Sequence, residues 1–415
     1  MSDVDRLDVI LDDQQVGTLR ETRGTLGFAY TPEYLSDPGA LPLDPQLPLV
    51  EGMQYPRGGR RTFGVFEDMA PDRWGRTLIK RREALRARDE GRQPQRLREL
   101  DILASVQDET RQGALRLFDG HQFIANDPLP VPPITELREL AGVAYAASDE
   151  SVTDLDALRR WLAVLVAPGA SLGGARPKAN FRAENGAYWI AKFPAKSDAV
   201  DVGGWEYLAH ELAVAAGIQV PQGALQTIPG HRFRTFCVER FDRGDGARRP
   251  YASGMTLLER QDNDPEPAAY AELAQIIQTQ GVPHRIEADL HELFRRAVFN
   301  VLISNTDDHL RNHGFIVTGQ GLALAPAFDV NPNPDAPEHA LALDEIDPTP
   351  SLDALRRTSE YYALDAGAAN QIIATVADAV SGWEKQAQAL GFSRTEMLSM
   401  TSCFRLDLLE PEGGN

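Results

Sequence analysis

The chain has 415 residues, with 42 Lys and Arg against 61 Asp and Glu and a formal net charge of −19. That length exceeds one ordinary domain, and a hydrophobic content of 42% is enough for full-sized cores. The acidity argues against a broad nucleic-acid-binding surface, no apolar run is long enough for a transmembrane helix, and two cysteines, Cys237 and Cys403, exclude a disulfide framework and a cysteine zinc site. The acidic start, Met1 to Asp5, lacks the basic and apolar regions of a signal peptide, and the cysteine usage suits a reducing cytoplasm.

The first part reads as β-rich. Leu7–Leu11 and Val16–Leu19 are short strands around a polar turn over 12–15, and Thr25–Tyr30 is a third strand. A Pro-, Gly- and Asp-rich loop is expected from Ser36 to Arg61, after which Phe66 to Gly75 leads into a helix ending near Arg88. Between Arg73 and Arg98 lies the one basic island, with Lys80, Arg81, Arg82 and Arg86 at its centre. It reads as a solvated helical face with salt-bridge partners; the alternative is a docking patch for nucleic acid or an acidic partner. The prolines of Asp127 to Pro133 mark a linker. Two helices are expected after it, one capped by Thr135 and one starting near Ser151. Strands return from about Ser171 to Phe241, and from Ala268 to Leu409 the chain is mainly helical. Leu293, Ala297, Val298, Val301 and Leu302 form an apolar stripe that buries one of these helices.

That helix leads into Asn305-Thr306-Asp307-Asp308-His309-Leu310-Arg311-Asn312, and Ala327-Phe328-Asp329-Val330 follows downstream. An Asp and an Asn five residues apart, then a second Asp beyond a short apolar strand, is the arrangement of base and metal ligands in phosphoryl transfer. One carboxylate orients the attacking hydroxyl. An amide and a carboxylate hold the magnesium that neutralises the phosphates. Upstream, Ser171-Leu172-Gly173-Gly174-Ala175-Arg176-Pro177-Lys178 is not a Walker loop, but adjacent glycines let backbone N–H groups approach a phosphate and Lys178 adds a cation. A plain turn is the bland alternative. Then come a strand to Arg182, the hairpin turn Asn185-Gly186 and a returning strand, Tyr188 to Pro194. Lys192 lies among the apolar residues of that strand, a setting that calls for an anionic partner. Glu206 and Glu211 lie on the next helix, Glu206 being the choice to pair with the strand lysine. Phe236 to Arg243 reads as a strand running into a hinge. There the backbone offers groups to a base, and Asp242 offers a bond to ribose or to a group on the metal side; the alternative is a sheet strand and a polar turn.

Together the Ser171 loop, Lys192, Val238-Glu239-Arg240-Phe241-Asp242-Arg243, the Asp307 to Asn312 motif and Phe328-Asp329 resemble the HipA family of serine/threonine kinase toxins over roughly 155–400. Phe66-Glu67-Asp68-Met69-Ala70-Pro71-Asp72 resembles that family's N-terminal domain. The resemblance implies an α+β, protein-kinase-like fold with a β-rich N-terminal domain and lobe and an all-α C-terminal lobe. It divides the chain into a HipA-like N-terminal domain (1–126), a linker and helix (127–150), a kinase N-lobe-like region with the Gly-rich loop (151–245) and a helical C-lobe (246–415). It implies Asp307 as catalytic base, Asn312 and Asp329 as Mg²⁺ ligands, and Lys192 and Lys178 as contacts to the phosphates of ATP. Glu239 and Phe241 become the adenine hinge through their backbones, and Ser171, beside Gly173 and Gly174, becomes a self-phosphorylated serine. About −2 of added charge there would repel nucleotide, a form of self-inactivation. The implied activity is that of a type II toxin acting on a translation component such as an aminoacyl-tRNA synthetase. The implied partner is a HipB-like helix-turn-helix antitoxin, through which alone the chain meets DNA. The alternatives are a small-molecule kinase and a non-catalytic co-repressor partner. Asp308 is either an extra magnesium contact or solvated. His309 reads as a brace of the loop, since the His309/His313 pair lacks the Glu of a zinc protease.

Overall fold

The computed structural model describes residues 5–124, 131–147, 176–244, 246–262 and 264–409. Ser171, Gly173 and Gly174 and the helix expected from Ser151 lie outside the described residues. The fold is α+β in two compact units: Met1–Ser197, Ile228–His231 and Cys237–Glu259 make the first, and Asp198–Thr227, Arg232–Phe236 and Arg260–Asn415 the second.

The first unit opens with the antiparallel strands β1 (Arg6–Leu11), β2 (Gln14–Thr22) and β3 (Thr25–Tyr30), joined by β4 (Arg116–Phe118) in the order β3-β2-β1-β4. The turn between β1 and β2 is tighter than the sequence suggests. Asp12 and Asp13 both take positive φ, 47° and 64°, the two-residue hairpin geometry whose twist matches that of the strands. Alternation then sends Leu7, Val9, Leu19 and Phe28 into one core against Phe63 and Phe66. β4 and the helix Glu99–Ala104, neither legible from local pattern, complete this layer. The helix expected to end near Arg88 is Arg73–Asp89, capped by Asp72 Oδ1 accepting the Gly75 N–H at 2.7 Å, and the stretch leading into it carries a short helix of its own, Gly64–Asp68. The basic island carries ion pairs: Arg92 meets Glu83 and Glu90 at 2.6 Å, and Arg86 meets Glu90 at 2.7 Å. Those pairs belong to a salt-bridged solvated face.

Gly17 on β2 has a steric task. A Cβ there would lie 2.2 Å from Phe28 Cζ, and that ring is itself held edge-on to Tyr30 with centroids 4.9 Å apart. Gly17→Ala is therefore expected to destabilise the protein by about 1–3 kcal/mol, read as a lower urea midpoint at unchanged slope.

β5 (Lys178–Arg182) and β6 (Tyr188–Lys192) form the antiparallel hairpin expected around Asn185-Gly186, with Gly186 at φ +83°. β7 (Gly223–Gln226) belongs to the second unit, and β8 (Thr235–Glu239) ends in the first, where the Arg240 N–H donates to the Tyr188 carbonyl at 2.8 Å.

The second unit is built round the helix Ile286–Leu302, whose stripe Leu293, Ala297, Val298, Val301 and Leu302 is fully buried, as its spacing requires. The helices Tyr270–Gln280 and Ala366–Ser381 pack against it. Trp205 stacks on Phe392 with centroids 4.3 Å apart, and Trp383 on Phe404 at 4.1 Å, fastening the helix Val202–Ala215 to the C-terminal helices. Among the described residues no helix is long and apolar enough to cross a membrane.

Candidate active site

The helix Ile286–Leu302 ends at Ile303, and Ser304 turns the chain with φ of 51°. The Asn305 N–H donates back to the Asn300 carbonyl at 2.8 Å, so the loop leaves the helix in a fixed direction. A single 3₁₀ turn, Leu310–Asn312, follows, with the Asn312 N–H on the His309 carbonyl at 2.8 Å. What the sequence presents as one short strand is a hairpin, Gly314–Thr318 against Gly321–Leu324, with Phe315 opposite Leu324. The hairpin reverses the chain and carries Asp329 back towards Asp307. Arg296 holds the returning strand by its bond to the Ala325 carbonyl at 2.9 Å, and the Ala327 N–H donates to the Gln219 carbonyl at 2.7 Å.

Asp307, Asn312 and Asp329 are thereby brought together in the second unit. Asn312 Nδ2 donates to the Asp307 carbonyl oxygen at 3.2 Å, while its Oδ1 is buried and accepts no hydrogen bond from the protein. Asp329 takes φ of 58°, the left-handed region that few non-glycine residues occupy. Asp307 is exposed on its loop. Its pKa is raised, first by burial, which outweighs the lowering effect of His309, and then by the negative charges of Asp329 and Asp308. The donor set is oxygen-only, one orphaned amide oxygen and carboxylates, and it fits a hard divalent cation such as Mg²⁺ that fills its other positions with water or phosphate oxygens. Among the described residues no group of three or more His, Cys, Asp or Glu is placed to hold a metal. Asn312, an amide, would be the ligand that such a group lacks.

Asp308 is not a solvated group. It is buried, and its Oδ2 accepts the Tyr270 hydroxyl and the His313 Nε2 at 2.8 Å. Burial alone would raise its pKa; the adjoining His313 and the Tyr270 bond overcome that and hold it below the ordinary value. His313 is thus an internal partner of Asp308 and not one half of a zinc pair, and His309 is half-buried beside it. Glu206 is buried on the helix Val202–Ala215 of the second unit.

In the first unit, Lys178 and Lys192 face one another directly across β5 and β6, both buried. Two ammonium groups directly opposite repel and call for anionic compensation. Asp72, the cap of the helix Arg73–Asp89, supplies one such charge at 2.6 Å from Lys178 Nζ. No sequence spacing points to this Asp72 contact. Glu239 lines a cavity of 380 Å³ whose other walls include Tyr188, Arg240 and Arg243. Phe241 is half-buried just beyond it.

Asp242 departs from the expectation of a ribose or metal-side contact. It is buried, with Arg240 Nε on its Oδ1 at 2.9 Å and Arg240 Nη2, Arg243 Nη1 and the Gly113 N–H on its Oδ2 at 2.7–2.8 Å. Burial opposes its ionisation, but the two guanidinium groups prevail and hold its carboxyl far below the usual range. Every acceptor direction is committed inward, so Asp242 fastens β8 to the segment near Gly113.

The match to known families agrees with this geometry. Residues 170–383, just over half of the chain, match the HipA-like C-terminal domain, and residues 7–117 match the HipA N-terminal domain. The chain belongs to the HipA family. The fold agrees: over 97% of this chain and 96% of the other, it superposes with a TM-score of 0.65 and 17% identity on a chain of the Shewanella oneidensis MR-1 toxin–antitoxin complex of HipA, HipB and operator DNA. At that identity the likeness is one of fold. A Haemophilus influenzae protein named "Putative kinase" is 29% identical over 147 residues, 31% of this chain and 42% of the relative. The match therefore spans less than half of that relative's length.

Proposed function

We propose that this HipA-family chain is an ATP- and Mg²⁺-dependent serine/threonine protein kinase, the toxin of a type II pair. The observation that carries the reading is the convergence of Asp307, Asn312 and Asp329, with Asn312 Oδ1 buried and unpaired. An amide oxygen without a protein partner at that position is available to a cation. In this reading Asp307 accepts the proton of the attacking hydroxyl as the new O–P bond forms and the bond from the γ-phosphorus to the bridging oxygen breaks, releasing ADP. Asn312 and Asp329 hold the cation, which when bound offsets the charge of the phosphates. Lys178 and Lys192 supply paired positive charge for phosphate oxygens, and the backbones of Glu239 and Phe241 receive the base. The structural role of Asp242 removes it from the nucleotide contacts. The substrate would be a protein of the translation machinery such as an aminoacyl-tRNA synthetase. The partner would be a HipB-like antitoxin, the name borne by HipA's companion in the Shewanella complex. Ser171, at the glycine loop, would be the site of self-phosphorylation, and the protein would work in the cytoplasm.

Labelled ATP and Mg²⁺, added to the protein alone and with a cell lysate, test this reading. Label is expected on the chain itself and on a lysate protein. Label confined to small metabolites would select a small-molecule kinase, and failure to bind nucleotide would sink both. Ser171→Ala is expected to lose self-labelling, keep transfer to the lysate protein and raise toxicity on expression. An inert, non-toxic Ser171→Ala protein would count against self-inactivation.

A further inference from the structure

Beside the proposed metal and base residues runs a continuous hydrogen-bond chain, buried from Asn305 to His313 and part-buried at Asn331. The Asn331 N–H donates to Asn305 Oδ1 at 3.3 Å, Asn305 Nδ2 to Asn300 Oδ1 at 3.0 Å, and Asn300 Nδ2 to the Tyr270 hydroxyl oxygen at 3.0 Å. The Tyr270 O–H then donates to Asp308 Oδ2, which also accepts from His313 Nε2. The direction is fixed throughout. An ionised carboxylate only accepts, so Tyr270 must donate to it and His313 must carry its proton on Nε2. Burial, followed by the Asp308 charge, pushes the Tyr270 pKa well above its ordinary value, so the donor keeps its proton.

The members of this chain flank Asp307, Asn312 and Asp329. Asn331 lies two residues after Asp329, Asn305 two before Asp307, Asp308 next to Asp307, and His313 next to Asn312. Tyr270 itself opens a separate helix, Tyr270–Gln280, and is fully buried. We propose that this chain is the positioning device of the phosphoryl-transfer site, with Tyr270 and Asp308 as positioning residues that set the separation of Asn312 and Asp329 and the orientation of the Asp307 loop. The inference rests on the kinase reading above. Partners behind metal ligands hold those ligands at the spacing the ion requires, and their loss weakens metal binding or activity by about 10–100-fold.

Tyr270→Phe tests it. The ring, edge-on to His313 with centroids 5.5 Å apart, is retained and only the hydroxyl is lost. Three quantities are read on the full-length protein: Mn²⁺ affinity in the presence of a non-hydrolysable ATP analogue, nucleotide affinity without metal, and kcat. The expected result is Mn²⁺ binding weaker by about 10–100-fold, a matching fall in kcat, and unchanged metal-free nucleotide affinity. The isosteric Asp308→Asn should do the same and supplies the reading if Tyr270→Phe does not fold. The double variant should be no worse than the weaker single one, because both break one linkage. Variants that melt earlier but bind Mn²⁺ and turn over like the wild type would overturn the proposal and leave the kinase reading standing. A wild-type protein that neither binds Mn²⁺ with nucleotide nor transfers phosphoryl would bring down both.

Discussion

Asp307→Asn is expected to lower the rate of phosphoryl transfer by about 10²–10⁴-fold, the contribution of a positioned general base, without weakening nucleotide binding. The substitution is isosteric and spares the Asp307 carbonyl that receives Asn312 Nδ2. It removes the group able to take the hydroxyl proton. It should also leave the fold intact. The pKa of Asp307 is raised in the folded protein, so the folded state binds this proton more tightly than the unfolded chain. Its contribution to stability therefore falls as pH climbs from the ordinary carboxylate value through the raised one, and at neutral pH the charge is destabilising. Removing it relieves repulsion from Asp329 and Asp308, and the variant should melt no lower than the wild type. In the wild type kcat/KM should fall on the acid side as Asp307 protonates, at a pH above that of an unperturbed aspartate. That limb should be missing from the residual activity of the variant. Single-turnover transfer from labelled ATP, calorimetric nucleotide binding and a thermal melt decide the matter. A variant that transfers phosphoryl at the wild-type rate would remove Asp307 from the mechanism.

Asp242→Ala is expected to have the largest effect on stability, about 3–5 kcal/mol. It strips the counter-charge from the buried Arg240 and the half-buried Arg243, and leaves the Gly113 N–H without its acceptor. The deficit should be nearly constant between pH 5 and pH 8. A carboxyl whose folded pKa is depressed contributes its full stability above the unfolded value of about 3.9 and loses it only as pH falls through the folded value, here far lower. Urea unfolding at several pH values checks this. If stability were unchanged and only the KM for ATP rose, Asp242 would be a nucleotide contact after all.

The kinase-like pattern was legible where chemistry demands fixed spacing along one segment. Asp307 and Asn312 are five residues apart because a single loop must present both, and the strand-turn-strand around Asn185-Gly186 declares itself through turn chemistry. The two lysines could be named from their strands, but not that they lie opposite each other; that follows from the register of β5 on β6. The inward role of Asp242 is not legible in its polar neighbours, because Gly113, which donates to its Oδ2, meets it only when distant segments pack.

The sequence by itself determined the family and the α+β class and named the groups proposed for base, metal and phosphate, since each depends on residue types at short separations. Tertiary structure decided what those groups rest on. Tyr270, Asn300 and Asp308 lie on separate stretches of chain and carry no joint signal in sequence. Burial removes them from water, where each would be satisfied without the others, and makes each depend on protein partners, Asn305 and His313 among them. For that reason Asp308, which in the sequence looks like a spare carboxylate beside the base, is in the folded protein an internal anchor of the loop that carries it.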